Sequence, residues 1–109
     1  MTISKELLTK VLGEHCRSYD VETQLLFYTD EHDSSVWVEL NIYELMYLCK
    51  EWARKHYYYL PSYTGALGGT CSIDYGTKTI EIIIGDDSNF TEPEAVFKAC
   101  EWILKEIQK

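Results

Sequence analysis

Residues 41–55, NIYELMYLCKEWARK, carry the strongest helical pattern in the chain. Apolar side chains recur there every three or four positions, which is the period of a helix that buries one face. The predicted buried stripe consists of Ile42, Leu45, Met46, Cys49, Trp52 and Ala53. Asn41 precedes the stripe and Glu44 follows three residues later, so each side chain can accept a hydrogen bond from the other's backbone N–H. The stretch predicts a helix that begins after Asn41 and packs on a core.

A similar pattern returns fifty positions later in residues 91–105, TEPEAVFKACEWILK. Thr91 and Glu94 form a second predicted capping box, and Pro93 lies in the first turn, where its missing N–H costs little. The predicted buried stripe of this helix consists of Val96, Ala99, Cys100, Ile103 and Ile107. The sequence therefore predicts a second helix that packs in the same manner.

The two helical stretches share more than their caps. In register, they match at Glu44 and Glu94, Glu51 and Glu101, Trp52 and Trp102, and Lys55 and Lys105. The strand sequences around them show no matching repeat, so we interpret the similarity as two helices with one packing requirement and not as a duplication. Trp52 lies nearer the middle of its stripe than Trp102, so we expect Trp52 in the core and Trp102 at its margin or at an interface.

The N-terminal third is predicted to hold a helix and a hairpin. Residues 3–12 place apolar side chains on one helical stripe, and Gly13 favours a left-handed cap at its end. Residues 14–20, EHCRSYD, are polar and predicted to be irregular. Residues 21–29 and 35–40 are rich in β-branched and aromatic residues and flank the turn-forming sequence DEHDS, which is typical of a hairpin.

Three more extended segments follow the first long helix: YYYLPSY, TCSIDY and KTIEIII. TGALGG joins the first two, and Gly76 with Thr77 makes a tight turn between the others. Pro61 lacks a backbone donor, which predicts an edge strand. The element order is α-β-β-α-β-β-β-α in a single domain over residues 1–109, which predicts an α+β fold with an antiparallel sheet covered by helices.

Composition restricts the partners of the chain. Its 109 residues include 18 acidic and 10 basic side chains, giving a net charge of −8. This charge opposes direct nucleic-acid binding and favours either a solvated surface or docking on a basic protein partner. No apolar run is long enough to span a membrane and no secretion signal is evident, so we expect a cytoplasmic protein. The four cysteines form no paired motif, so we expect free thiols.

No motif in the chain identifies a chemistry. The three histidines have no partner at metal-ligand spacing, and there is no G-x-S-x-G nucleophile elbow. The glycine-rich GALGG lacks the lysine and the following helix of a phosphate-binding loop. The acidic loops DEHD and GDDSN do not follow the calcium-loop pattern. The sequence therefore predicts no catalytic residue, no metal and no cofactor, and a protein that is not an enzyme.

Two sets of residues are candidates for binding a partner. Acidic side chains concentrate in the hairpin turn and before the last helix, and they would form one negative patch if both loops lie at the same end of the sheet. Tyrosines fall on the polar face of the first long helix, where amphipathic rings often mark interfaces. The predicted partner-binding residues are Asp30, Glu31, Asp33, Asp86, Asp87, Tyr43 and Tyr47.

The stretches NIYELMYLCKEWARK and TEPEAVFKACEWILK resemble those of small uncharacterised accessory proteins encoded by phages and prophages of bacteria. The second stretch is also similar to the closing helix of the phage ABA-sandwich domain. The resemblance covers about residues 39–107 and brings no catalytic residue with it. It implies a small accessory protein that acts in the cytoplasm of a bacterial host cell.

Proteins of that kind include inhibitors of host defence, such as anti-CRISPR proteins that bind a basic nucleic-acid-guided nuclease. The resemblance and the acidity therefore favour an inhibitor that works by protein–protein binding. An alternative is an oligomeric binder of a nucleotide second messenger, with tyrosines stacking on bases, although clustered arginine and lysine are scarce. An enzyme of unknown class is a third possibility. The sequence also leaves open whether the Pro61 strand pairs with its counterpart in a homodimer.

Overall fold

The computed structural model of the chain describes residues 3–85 and 89–109. The described helices are α1 (Lys5–Leu12), α2 (Ile42–Lys55) and α3 (Glu92–Ile107). The described strands are β1 (Cys16–Asp20), β2 (Leu25–Thr29), β3 (Ser35–Glu39), β4 (Tyr58–Tyr59), β5 (Ser62–Gly65), β6 (Gly68–Tyr75) and β7 (Lys78–Ile84). These elements confirm the predicted α+β class with antiparallel sheets.

The strands form two antiparallel sheets. The first sheet has the order β1-β2-β3. In the second sheet, β6 lies in the middle, with β4 and β5 along one side and β7 along the other. Leu60 and Pro61 interrupt the first side, but the Pro61 carbonyl still accepts a hydrogen bond of 2.9 Å from the Ser72 N–H. The predicted edge position of the Pro61 segment is therefore confirmed.

The strand β1 lies in a segment that the sequence predicts to be irregular. Cys16 and Tyr19 are buried although they are three positions apart, because the register of β1 on β2 shifts between Cys16 and Ser18. Such a bulge breaks the alternation of period two on which strand prediction depends. The prediction for residues 14–20 was therefore wrong. The next strand begins only at Leu25, because a turn precedes it.

Helix α3 is buried on two sides, against the strands of the second sheet and against α2. Its buried residues are Pro93, Ala95, Val96, Phe97, Ala99, Cys100, Ile103 and Leu104. The predicted stripe is confirmed except for Ile107, which is 40% exposed in the last turn. Phe97 and Leu104 were not predicted, because a single stripe describes a helix covered on one side only.

Helix α2 packs on α3 and begins as predicted. The Asn41 side chain accepts hydrogen bonds from the Tyr43 N–H at 2.8 Å and the Glu44 N–H at 3.4 Å. The return bond from the Asn41 N–H to the Glu44 carboxylate, which a capping box requires, is not formed, so only half of the predicted box is present. Thr91 and Glu94 form the predicted reciprocal capping box of α3. Trp52 is buried while Trp102 is half-buried, as their positions in the two stripes predict.

The first sheet extends away from the main core. Strand β1 packs on α1, and α1 in turn contacts α2 and α3. Helix α1 ends at Gly13, whose φ of 119° is positive while its ψ of 164° is extended, so the cap is not the left-handed helical one that was predicted. In β3 only Val36 is half-buried, and the other four residues are exposed. The molecule accordingly measures 45 × 31 × 19 Å.

Candidate functional site

The acidic residues of the β2–β3 turn have a structural role as well as charge. The Asp30 carboxylate accepts hydrogen bonds from the His32 N–H at 2.9 Å and the Ser34 N–H at 2.8 Å. Asp33 adopts a φ of 61°, which closes the turn. Glu31 is exposed, and its carboxylate lies 3.5 Å from the His32 ring. Asp30 therefore shapes the turn, while the exposed carboxylates are free to meet solvent or a partner.

The other two predicted acidic residues, Asp86 and Asp87, lie outside the described residues. The combination of the two acidic loops into one negative patch stays a prediction.

The predicted tyrosines, Tyr43 and Tyr47, are exposed on α2. Tyr47 contributes to an open cleft of about 290 Å³ between α2 and the β4–β5 segment. The cleft is lined by Tyr47, Lys50, Glu51, Arg54, Tyr59, Leu60 and Pro61. Arg54 donates a hydrogen bond to Glu51, which lowers the pKa of that carboxyl. The cleft is thus polar and cationic on one side, with its guanidinium already paired.

The cysteines are four buried free thiols. Desolvation raises the pKa of Cys71 to about 12 and also raises the pKa of Cys16. Thiols with a raised pKa are poor nucleophiles, because the thiolate is the reactive form. In residues 3–85 and 89–109, no three histidine, cysteine, aspartate or glutamate side chains come together in a group that could hold a metal ion.

A group of exposed apolar side chains lies on the second sheet, on the side away from α3. Ile82 and Ile84 of β7 are 50% and 62% exposed. Ile84 pairs with Thr70 and Ile82 with Ser72, so these side chains point to the same side as those of their β6 partners. The intervening Ile83 pairs with the buried Cys71 and packs against the core. We refer to the exposed side as the outer face.

A groove of about 460 Å³ runs across the outer face. It is lined by Tyr63, Gly65, Ala66, Leu67, Thr70, Ile82 and Ile84. Leu67, Ile84 and Tyr63 are the most exposed of its large side chains, at 67%, 62% and 61%. Apolar side chains from β5, the β5–β6 turn and β7 therefore meet in one concave surface.

Beside the groove, β7 forms the edge of the sheet. It pairs with β6, and no other strand among the described residues pairs with it. The Ile82 N–H donates to the carboxylate of Glu81 at 3.1 Å, which shows that this N–H points away from β6. Exposed edge strands with unpaired backbone groups are templates for pairing with another chain.

This site was not predicted from the sequence, although its signal is visible in KTIEIII. The alternating positions Ile82 and Ile84 share one face of a strand, while Ile83 lies on the other. The register of β7 on β6 shifts next to Glu81, so Ile80 lies outside this alternation. The sequence shows that both faces are apolar, but not that α3 covers only one of them. The outer face therefore appears only when the helices are placed.

Comparison with known protein families, curated proteins and solved structures finds no match for this chain. Among the described residues, no helix combines the length and the apolar character that crossing a membrane requires.

Proposed function

We propose that this chain is a small acidic accessory protein that binds a protein partner through the outer face of its second sheet. The observation that carries the proposal is the 460 Å³ apolar groove between Tyr63, Leu67 and β7. Contiguous exposed apolar surface of this kind marks interaction sites in soluble proteins, whereas singly scattered apolar residues do not.

The size of the apolar surface supports an anchoring role. Four large side chains that line the groove are at least 50% exposed: Tyr63, Leu67, Ile82 and Ile84. Burying the exposed half of one such side chain contributes about 1 kcal/mol at ~25 cal/mol per Å². The four together contribute about 4 kcal/mol before the entropic cost of association, which is enough for the centre of an interface but not for a complete one.

The charge of the chain indicates the chemistry of the partner. With a net charge of −8, the protein attracts a surface that carries an apolar centre and a basic rim. A nucleic-acid-guided nuclease has such a basic surface, and it is the partner that the resemblance to phage-encoded proteins favours. The choice of a nuclease rests on that resemblance and on charge alone.

The proposal is tested with two matched double variants. Tyr63→Ser with Leu67→Ser removes the centre of the groove, while Tyr43→Ser with Tyr47→Ser removes equally exposed rings from α2. Each protein is used as bait in lysate of a bacterium carrying nucleic-acid-guided nucleases, and each is then added to the purified nuclease in a cleavage assay. We expect wild type and the α2 variant to bind and inhibit, and the groove variant to lose binding at least about tenfold.

The possible failures of this experiment are distinct. Loss of binding in the α2 variant alone would move the site to Tyr43 and Tyr47. Full cleavage at saturating wild-type protein would exclude the nuclease as target. Equal binding by all three proteins would exclude both surfaces.

The cleft between α2 and the β4–β5 segment favours a second candidate function, a binder of a nucleotide second messenger. It places two tyrosine rings, Tyr47 and Tyr59, near Lys50 and near Arg54, whose guanidinium is paired with Glu51. Rings stack on bases and cations attract phosphate. A tight ligand raises the melting temperature by mass action, so a rise with cyclic nucleotides that Tyr47→Ala abolishes would support this function. No rise at millimolar nucleotide would exclude it.

A further inference from the structure

We propose that the partner pairs an extended segment of its own chain with the edge of β7, and that this segment alternates apolar residues with lysine or arginine. The inference rests on the proposed function and deepens it, because it states which part of the partner is recognised beside the outer face. The segment becomes a further strand of the second sheet. Binding of this kind takes its affinity from main-chain hydrogen bonds and its specificity from alternate side chains.

The backbone of β7 is oriented to receive such a strand. In antiparallel strands, the N–H and C=O of alternate residues point to opposite edges. The Gly85 N–H donates to the Gly69 carbonyl of β6 at 3.0 Å. The backbone groups of Ile82 and Ile84 therefore point away from β6 and towards the open edge. The hydrogen bond from the Ile82 N–H to the Glu81 carboxylate agrees with this direction.

A bulge limits the usable edge to the second half of β7. The pairing of β7 with β6 skips Ile80, which is the extra residue of the bulge. Because a bulge bends the strand and breaks its alternation, the regular edge begins at Glu81. An antiparallel segment beside this part exchanges both backbone hydrogen bonds with Ile82 and with Ile84.

The outer face requires apolar residues at alternate positions of the segment. Residues that lie directly opposite each other in a sheet share a face, so the side chains opposite Ile82 and Ile84 lie on the outer face. Both isoleucines line the apolar groove. Apolar side chains at these two positions of the segment therefore extend the wall of the groove, while the rest of the partner covers Tyr63 and Leu67.

Charge favours lysine or arginine at the intervening positions. The exposed carboxylate of Glu81 lies at the edge, where it accepts from the Ile82 N–H at 3.1 Å. A residue opposite Glu81 belongs to a non-hydrogen-bonded pair, in which the side chains are closest, so a basic residue there forms a cross-strand ion pair. Lys78, the other charged residue of β7, lies on the far side of the bulge.

The same charge argues against a second copy of this chain as the occupant of the edge. With a net charge of −8, two copies repel each other, whereas a basic segment is attracted. The occupant is therefore a basic segment of a different protein.

Synthetic peptides test the proposal without the partner itself. The probe is a peptide of about nine residues in which valine and lysine alternate. Methylation of the valine amide nitrogens blocks hydrogen bonds to β7, because valine lies opposite Ile82 and Ile84. Methylation of the lysine amide nitrogens alters only N–H groups that point away from β7, so it is the matched control. We expect a dissociation constant of about 100 µM for the unmodified and lysine-methylated peptides, and at least about tenfold weaker binding for the valine-methylated one.

Amide hydrogen exchange measured by NMR locates the added strand. A peptide concentration of about 1 mM should slow the exchange of the Ile82 and Ile84 amides at least about fivefold. The Ile83 amide already faces β6 and should change little.

A charge reversal tests the role of Glu81. Glu81→Lys should weaken the binding of the lysine peptide at least about fivefold. The matched control Glu22→Lys changes the net charge equally at an exposed position between β1 and β2, and it should bind nearly as wild type does. Equal melting temperatures of the variants establish that each one is folded.

The inference is overturned if the peptide does not bind at about 2 mM, or if valine and lysine methylation have equal effects. It is also overturned if the Ile82 amide exchanges at the same rate with and without peptide, or if Glu22→Lys weakens binding as much as Glu81→Lys.

Two variants at one position separate this inference from the proposed function. Ile82→Pro removes the outward N–H, which an edge strand tolerates, while Ile82→Ala shortens the same side chain and keeps the N–H. In the lysate assay, Ile82→Pro should capture at least about tenfold less partner than Ile82→Ala. Equal capture by both, with loss in Tyr63→Ser with Leu67→Ser, would overturn strand addition and leave the groove as the binding site. Edge binding of the peptide by a wild type that captures no partner would instead overturn the proposed function.

Discussion

Gly69 allows the second sheet to contact the start of α3 through backbone alone. Its N–H donates to the Phe90 carbonyl at 2.6 Å, and a Cβ at this position would overlap the carbonyl group of Thr91. Neither partner is the end of a flexible side chain, so the clash cannot relax cheaply. Glycine is required at position 69 because the backbone of β6 lies directly against the backbone before α3. The sequence shows only that this segment is rich in glycine.

We predict that Gly69→Ala lowers the free energy of unfolding by about 3 kcal/mol or more. Gly65→Ala is the matched control, because its Cβ would meet the Tyr63 ring at 3.3 Å and the Gly68 carbonyl oxygen at 3.8 Å, which is ordinary van der Waals contact. Urea denaturation of the two variants and wild type measures the difference. Similar midpoints for both variants would contradict the close contact.

A second residue-level prediction concerns alkaline pH. Burial raises the pKa of Tyr19 from 10.0 to about 12, and burial likewise raises the pKa of Cys71 from 9.0 to about 12. The unfolded chain therefore loses these protons at a lower pH than the folded protein does. The contribution of the two groups to the free energy of unfolding is fully present below pH 9 and is lost as pH rises towards 12. Urea midpoints should fall progressively between these values.

Tyr19→Phe separates the two groups. The Tyr19 hydroxyl donates to the Leu40 carbonyl at 2.5 Å, so the variant should be less stable at pH 8 but should lose less stability between pH 10 and 12 than wild type. Tyr63→Phe, at an exposed ring, should reproduce the wild-type dependence. An unchanged slope in Tyr19→Phe would assign the alkaline loss to other groups.

At the level of elements, the matched positions of the two long helices have different roles. Glu101 of α3 accepts hydrogen bonds from Ser4, from the N–H at 3.1 Å and from the hydroxyl at 2.7 Å. The Ser4 oxygen in turn caps α1 by accepting from the Leu7 N–H. Glu51 of α2 pairs with the exposed Arg54. At equivalent sequence positions, Glu101 thus holds α1 in place, whereas Glu51 makes only a local ion pair at the surface.

We predict that Glu101→Ala lowers the free energy of unfolding by about 1–2 kcal/mol, because it removes two charge-assisted hydrogen bonds. Glu51→Ala should change it by less than about 0.5 kcal/mol, since exposed ion pairs contribute little. Thermal unfolding of both variants makes the comparison at matched helix positions. A larger effect at Glu51 would show that the α1 contact is not stabilising.

The elements also show which patterns can be predicted. The caps of α2 and α3 depend on residues two or three positions apart, so the sequence contains the whole interaction. Strand β1 depends on a bulge between Cys16 and Ser18, which hides its alternation. Phe97 and Leu104 are buried because α3 is covered from two sides, and a stripe predicts only one. The strongest predictions are therefore the most local ones.

For the whole molecule, the structure predicts uneven stability. The first sheet is joined to the rest through β1 and α1, and most of β3 is exposed. In contrast, β6 lies between two strands and under α3. Amide hydrogen exchange should therefore be at least about tenfold faster in β2 and β3 than in β6, since local opening exposes few apolar contacts. Mass spectrometry of exchanged peptides measures this, and equal protection would contradict it.

The sequence by itself determined the helices, the N-terminal caps of α2 and α3, most of the strands and the charge, because each depends on neighbours a few positions away. Tertiary structure decided how the strands divide into two sheets, which side of β7 stays open and which glutamate meets Ser4, 97 positions from Glu101. An apolar pattern shows that a face avoids water, but it does not identify what covers that face. Isoleucine at 82 and at 83 has the same hydrophobicity, and only the position of α3 makes one of them surface and the other core.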